Sequence, residues 1–304
     1  MKPFVRIALG LLIFVSPSAW AQQPVAIPGP SDLPAWSARA PEMDVETVGF
    51  LRIAVDDLPA TERWLSEEMG FSPWPLGQRA SGEESIMVML SSGQSVEFFS
   101  RRPFYEQLEM KAARTVGLAF YVPSIATAMM SLAGSGVPTT EVIALHAGGE
   151  PTYPRILDLL FIRSFEFPLW NFSFAERNAA GIEKVRQDYP QYDDRKWQDH
   201  PNGVTGISEV WFGVHDLEGS ERALAALALV PDEARSAPGE RVYAFDGMVL
   251  RLVSAEHRER GEEIARRIAG GGEGAFHLVF SSSGGAVAPG ARAIPESELL
   301  LEVQ

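Results

Sequence analysis

The chain has 304 residues, a formal net charge of −14, 22% charged and 46% hydrophobic residues, and Cys 0. That length allows two domains of ordinary size, each able to bury its own core. An acidic chain without basic clusters repels phosphate backbones and anionic membranes, and a chain without cysteine has no disulfides, thiolate metal sites, cysteine nucleophile or lipoprotein anchor.

The first stretch reads as a targeting signal. Lys2 and Arg6 form a positive end, residues 7–15 are apolar but too short to cross a bilayer, and Ala19-Trp20-Ala21 offers a small-x-small cleavage site. Residues 1–21 are therefore expected to be a signal peptide and the mature protein periplasmic or secreted. No later segment is long and apolar enough to span a membrane. Residues 22–46 carry Pro24, Pro28, Pro30, Pro34 and Pro41 without periodicity, which predicts an extended leader.

Order is expected from about residue 48. Residues 48–55 read as a strand, and Pro59 opens a helix in its first turn, where the missing N–H costs nothing. Leu58, Glu62, Leu65 and Met69 hold helical spacing until Gly70 stops it. Strands follow over 75–79, 86–90 and 95–100, the last two joined by a turn at Ser91-Ser92-Gly93-Gln94. The order is β-α-β-β-β. A second copy runs through a strand at 115–122, a helix at 125–134 and strands at 156–162 and 165–174. Residues 175–197 form a charged, helix-capable connector broken by Pro190.

The chain then repeats itself. Val55-Asp56-Asp57-Leu58-Pro59-Ala60-Thr61-Glu62-Arg63 recurs as Val214-His215-Asp216-Leu217-Glu218-Gly219-Ser220-Glu221-Arg222. Each copy follows an apolar run and leads into a helix, which marks a duplicated strand–turn–helix unit. The third copy continues with a helix at 218–228 and a hairpin, 241–245 and 248–253, around Asp246-Gly247. A charged helix at 255–269, a break at Gly270-Gly271-Gly272, and strands at 274–281 and 299–303 complete the chain. Residues 284–289 cannot build a normal helix, so the fourth module reads as degenerate.

This order of modules resembles the vicinal oxygen chelate superfamily and, within it, the glyoxalase-like proteins. The resemblance is carried by the repeated "Val-x-Asp-Leu" opening, by Ile86-Met87-Val88-Met89-Leu90 before Ser95-Val96-Glu97-Phe98-Phe99, and by His200-Pro201-Asn202-Gly203-Val204-Thr205-Gly206-Ile207 opening the second half. It implies an α+β fold of paired βαβββ modules in two half-barrel domains: an N-terminal domain at 47–178, a linker at 179–199 and a C-terminal domain at 200–304 with a truncated last module. It also implies metal ligands, His or carboxylate, on the first and last strands of paired modules, suited to one divalent Fe, Mn, Zn or Ni.

Carried over position by position, the N-terminal half supplies Phe50, Gly117, Glu97 and either Trp170 or Asn171, with one ligand-capable residue among the first three. The C-terminal half supplies Glu209, His277 and Glu302 as metal ligands, with Arg251 beside them. Arg251 could pair with Glu209 or Glu302, or bind an anionic substrate bidentately. Two readings stay open: an exported metal-dependent enzyme of lyase, isomerase or dioxygenase type acting on a small oxygen-bearing molecule, and a metal-free small-molecule binding or scavenging protein whose cup is lined by Phe50, Trp170 and Trp211. Substrate contacts in either reading come from Arg251, Glu97, Phe50, Trp170 and Trp211. No nucleotide cofactor, nucleic-acid partner or membrane span is expected, and a homodimer is compatible with both. Of the other histidines, His215 is expected to cap a helix, His257 to lie on a solvated helix and His146 in a loop.

Overall fold

The computed structural model describes residues 43–78, 84–100, 114–147, 151–162, 172–284, 290–294 and 299–304. The signal segment, nearly all of the Pro-rich leader, Trp170 and Asn171 lie outside them.

The first module runs β1 (Thr47–Val55), α1 (Leu58–Glu67), β2 (Trp74–Gln78), β3 (Glu84–Met89) and β4 (Ser95–Ser100). The second runs β5 (Arg114–Tyr121), α2 (Ile125–Gly134), β6 (Ile143–His146), β7 (Arg155–Phe161) and β8 (Phe172–Arg177). These eight strands form one curled sheet in the order β2-β3-β4-β1-β5-β8-β7-β6. Its two halves join where β1 meets β5 antiparallel. Strand β6, which carries few of the β-branched or aromatic residues that signal a strand, is an element that sequence reasoning missed.

The connector becomes helix α3 (Ala179–Asp188), followed by short 3-10 turns at Pro190–Tyr192 and Asp194–Trp197. The second half holds β9 (Val204–Gly213), α4 (Leu217–Ala226), β10 (Glu240–Phe245), β11 (Met248–Val253), α5 (Gly261–Gly271), β12 (Gly274–Ser282), β13 (Gly290–Ala293) and β14 (Leu300–Val303). Its sheet order is β10-β11-β9-β12-β14-β13. The fold is α+β, with curled sheets built from βαβββ-type modules. The third module has two strands after its helix instead of three. In the fourth, no helix lies between β12 and β13 among the described residues.

The duplicated segments form the same local structure. Asp57 caps α1 by accepting a hydrogen bond from Ala60 N at 2.8 Å, and Asp216 caps α4 by accepting one from Gly219 N at 2.9 Å. The expected cap at His215 is thus a correction: the aspartate one residue later has the short carboxylate that reaches the third amide of the helix. His215 uses its backbone N–H instead, donating to Glu273.

Alternation along the strands separates two faces. On one, Leu51, Ile53, Leu118, Phe120, Phe172 and Phe174 of the first sheet share a single core with Val210, Phe212, Leu250, Leu252, Leu278 and Phe280 of the second. Phe172 meets Phe212 edge-on at 5.4 Å, Phe120 lies 5.8 Å from Phe245, and Phe71 lies 5.2 Å from Phe280. The sheets therefore meet through these faces, and each opposite, concave face is covered separately.

The loop His200-Pro201-Asn202-Gly203 clasps the halves together. His200 Nδ1 accepts from Ser72 N at 3.0 Å while Nε2 bonds Met89 O at 2.8 Å, which sets the tautomer as Nε2–H. Asn202 donates to Met69 O at 2.7 Å and accepts from Val204 N. Read only as a turn, this sequence conceals that role. Burial pushes the His200 pKa below the ordinary imidazole value. The folded pKa lies beneath the unfolded one, so the unfolded chain takes up the proton first. This contribution is complete above pH about 6.5 and is lost as pH falls through the folded pKa. We expect urea denaturation to show stability declining below pH about 6.5, with a shallower decline in His200→Gln; an unchanged slope in that variant would refute the assignment.

Candidate functional site: two cups with different contents

The concave face of the first sheet is mostly apolar. Phe50, Ala119, Leu157, Leu159 and Ala175 pack there with Leu145. Beside them opens a cavity of about 120 Å³, lined among others by Phe50, Trp74, Met87, Met89, Tyr121 and Leu157. The connector forms one wall: Ile182 and Val185 of α3 line the cavity, as do Tyr192 and Asp194 of the 3-10 turns. Trp197 stacks on Trp74 with centroids 6.2 Å apart. Tyr121 donates its hydroxyl to Gly93 O at 3.2 Å, and burial raises its pKa, so it stays protonated at neutral pH. His146, expected in a loop, ends β6 and lines the cavity, with Nδ1 2.8 Å from Tyr153 O.

Glu97 is on this concave face but does not line the cavity. Its carboxylate is fully buried and takes a 2.8 Å hydrogen bond from Arg52 Nε, whose side chain is 11% exposed. Arg52 also lies over the Phe99 ring at 4.4 Å. The backbone register explains the partnership, because Arg52 pairs with Glu97 on one side and with Gly117 on the other. Phe50, which counting along the strand makes equivalent to Gly117, pairs with Ala119 instead, one row away on the same face. The register is unbroken from Phe50 to Arg52, with Leu51 opposite Leu118 between them. The central row of this cup therefore presents a guanidinium and a glycine, and Arg52 meets the electrostatic need of Glu97.

The second cup is filled by helix α5. Ile264 and Ile268 pack on Val253 and Phe276, with Trp211 alongside. The Trp211 ring carries Arg260 at 4.7 Å and Arg251 at 5.0 Å, and lies 6.1 Å from the His277 ring. Its indole N–H donates to Glu209 at 3.0 Å. Arg251 bonds Glu209 at 3.0 Å and Glu240 at 2.6 Å, which is the partnership that the sequence left open. His257 is not on a solvated helix. Its side chain, 11% exposed, sits beside Glu240 and Trp211, and Nδ1 accepts from Arg260 N just before α5.

His277 and Glu302 do come together, at 2.9 Å from Nε2 to the carboxylate. With Nε2–H donated to Glu302, the Nδ1 lone pair faces no hydrogen-bond partner among the described residues, an arrangement that resembles the oriented histidine of a metal site. The surroundings oppose that use. Burial lowers the His277 pKa against the pull of Glu302, and the nearby charges of Arg260 and Arg267 lower it further. The same positive charges repel a divalent cation. The residue paired directly with His277 across β9 is Trp211, which has no lone pair to give. Glu209 pairs with Val279, one row off, and is held by Arg251 and Trp211. Among the described residues no group of three His, Cys, Asp or Glu side chains converges to hold a metal ion. Glu209, His277 and Glu302 thus do not fit a three-ligand metal centre as they stand. Phe50 and Trp211, expected to line one cup, lie in different ones.

No family model and no curated protein sequence matches the chain. Solved structures do. A hypothetical protein from Staphylococcus aureus superposes with TM-score 0.59 at 8% identity, covering 86% of this chain and 99% of that one. An extradiol ring-cleaving dioxygenase from B. fuscum gives TM-score 0.54 at 10% identity over 88% of this chain and 74% of its own. A variant of homoprotocatechuate 2,3-dioxygenase from B. fuscum gives 0.53 at 11%, over 90% and 74%. The chain has the vicinal oxygen chelate fold. At these identities the likeness concerns the fold alone.

The buried pair in the first cup makes a direct prediction. Arg52→Met removes the guanidinium that pairs with the buried Glu97 carboxylate and should cost about 3–5 kcal/mol of stability. Adding Glu97→Leu should recover most of that loss, as read by chemical denaturation. A double variant as unstable as Arg52→Met would show that the pair's mutual neutralisation is not what matters.

Proposed function

We propose that this is an exported, glyoxalase-like binding protein that holds a small, largely apolar molecule in its N-terminal cup without a metal. The observation that carries this reading is the contrast between the cups. One keeps an apolar cavity of about 120 Å³ beside its sheet, while the other is filled by helix α5 of the same chain. A cavity near 150 Å³ lined by aliphatic and aromatic side chains stays dry and takes up benzene, so this space suits a body of about one ring. Phe50, Trp74 and Tyr121 supply flat apolar surface, and Met87 and Met89 supply polarizable, adaptable contacts. Export is supported by the positive, apolar and small-residue pattern of residues 1–21.

A second reading is a divalent-metal enzyme of lyase, isomerase or dioxygenase type using Glu209, His277 and Glu302. It draws on the His277–Glu302 pair and on the unpartnered Nδ1. One experiment separates the two. Mature protein stripped with EDTA should bind toluene by calorimetry with a Kd of about 1 mM or tighter, about −4 kcal/mol. Leu157→Trp, which fills the cavity from its wall, should weaken binding at least tenfold. Toluene binding that disappears on stripping and returns with Fe, Mn, Zn or Ni would favour the enzyme.

A further inference from the structure

The cavity's charged residues assign a polarity to its ligand. Two arginines line it, Arg177 and Arg186. Arg186 is committed: its Nε bonds one Asp194 oxygen at 2.8 Å and its Nη2 the other at 3.1 Å, so the aspartate lining the cavity is neutralised in place. Arg177 is held differently. Its guanidinium lies 5.5 Å from the Tyr121 ring centroid and against Gly93, where an added Cβ would meet Nη1 at 2.1 Å. Gly93 has a φ of +86°, and its carbonyl accepts the Tyr121 hydroxyl. A glycine is therefore favoured at this turn for its left-handed backbone. Among the described residues, no hydrogen bond or ion pair joins Arg177 to a carboxylate. Arg177 is exposed, and its guanidinium lies against the Tyr121 ring where an apolar cavity meets solvent.

Building on the binding reading above, we infer that the N-terminal cup selects a small amphipathic monoanion, a carboxylate on an apolar body of about one ring. The body occupies the space beside Phe50, Met87 and Leu157, and the carboxylate meets Arg177 at the mouth. The planar guanidinium offers two parallel N–H donors to a carboxylate, an arrangement an ammonium cannot copy. Among the arginine and carboxylate groups of the cavity's lining, Arg186 and Asp194 cancel, which leaves the charge of Arg177. The whole chain stands at −14. A cation drawn to the protein by its overall charge is thus refused locally, whereas an anion is admitted at one point. Specificity of this kind is a difference in affinity between ligands of the same shape.

The test uses three probes with one apolar ring and different charge, phenylacetate, toluene and benzylamine, titrated calorimetrically into the mature full chain. Wild-type protein should bind phenylacetate at least tenfold more tightly than benzylamine. Arg177→Gln should erase that preference while leaving toluene affinity within about twofold. Arg177→Lys should restore only part of it, because the paired donors are lost. Equal affinity for the three probes, or a preference unchanged in Arg177→Gln, would overturn the charge assignment while leaving the cavity reading intact. Failure of all three probes to bind would overturn both.

Discussion

Everything in this molecule depends on how the two sheets meet. The aromatic contacts of Phe172 with Phe212 and of Phe120 with Phe245 join the faces opposite the cups into one core. An interior this continuous fixes both concave faces outward, because a strand's side chains alternate and a slip by one residue would exchange core for cup. Each concave face must then be covered by something else. The first is walled by the connector, which stands at its rim and leaves a cavity. The second receives helix α5, whose Ile264 and Ile268 fill it.

The filling of the second cup has an electrostatic logic. A helix entering a concave sheet lined with histidine and carboxylates must satisfy them. Here Arg251 bridges Glu209 and Glu240, and the Trp211 face receives Arg251 and Arg260. Glu263 on α5 joins Arg260 and Arg267, and their hydrogen bonds, Arg260 first, hold its pKa at about 2 against burial. A cup that would need negative charge to hold a metal instead holds paired arginines, and the charges of Arg260 and Arg267 act on the His277 imidazole. The neighbouring dioxygenase structures share this fold, but the side chains that decide chemistry have diverged between the two cups, and function follows the side chains.

The sequence made the architecture legible where hydrophobic period and repeat agreed. The duplicated Val55 and Val214 segments gave equivalent strand ends and capped helices, and the connector broke at Pro190 as its composition requires. The site was harder. Glu97 stood out as a ligand-capable residue, but its partner Arg52 sits on another strand, and only the backbone register shows the two adjacent. The register of β9 and β12 likewise sets Trp211 opposite His277 and Val279 opposite Glu209, one row apart. Counting along one strand does not show which residue lies across from it. Nor could composition show that residues 255–269, read as a charged helix, would turn Ile264 and Ile268 into a cup and set Arg260 and Arg267 over the Phe276 ring. His200 carried no local signal beyond a turn, since its partners are more than a hundred residues away.

The central claim is that the N-terminal cup takes a guest and the C-terminal cup is already occupied. Methyl NMR of methionine-labelled protein, combined with the indole N–H signals, reads both cups in one titration. Met87 and Met89 line the first cavity, Met69 and Met248 lie in the shared core, and the Trp211 indole N–H donates inside the second cup. With toluene, the Met87 and Met89 methyls should shift saturably while Met69, Met248 and the Trp211 N–H stay in place. Saturable shifts at Trp211 with Met87 and Met89 unmoved would contradict the account.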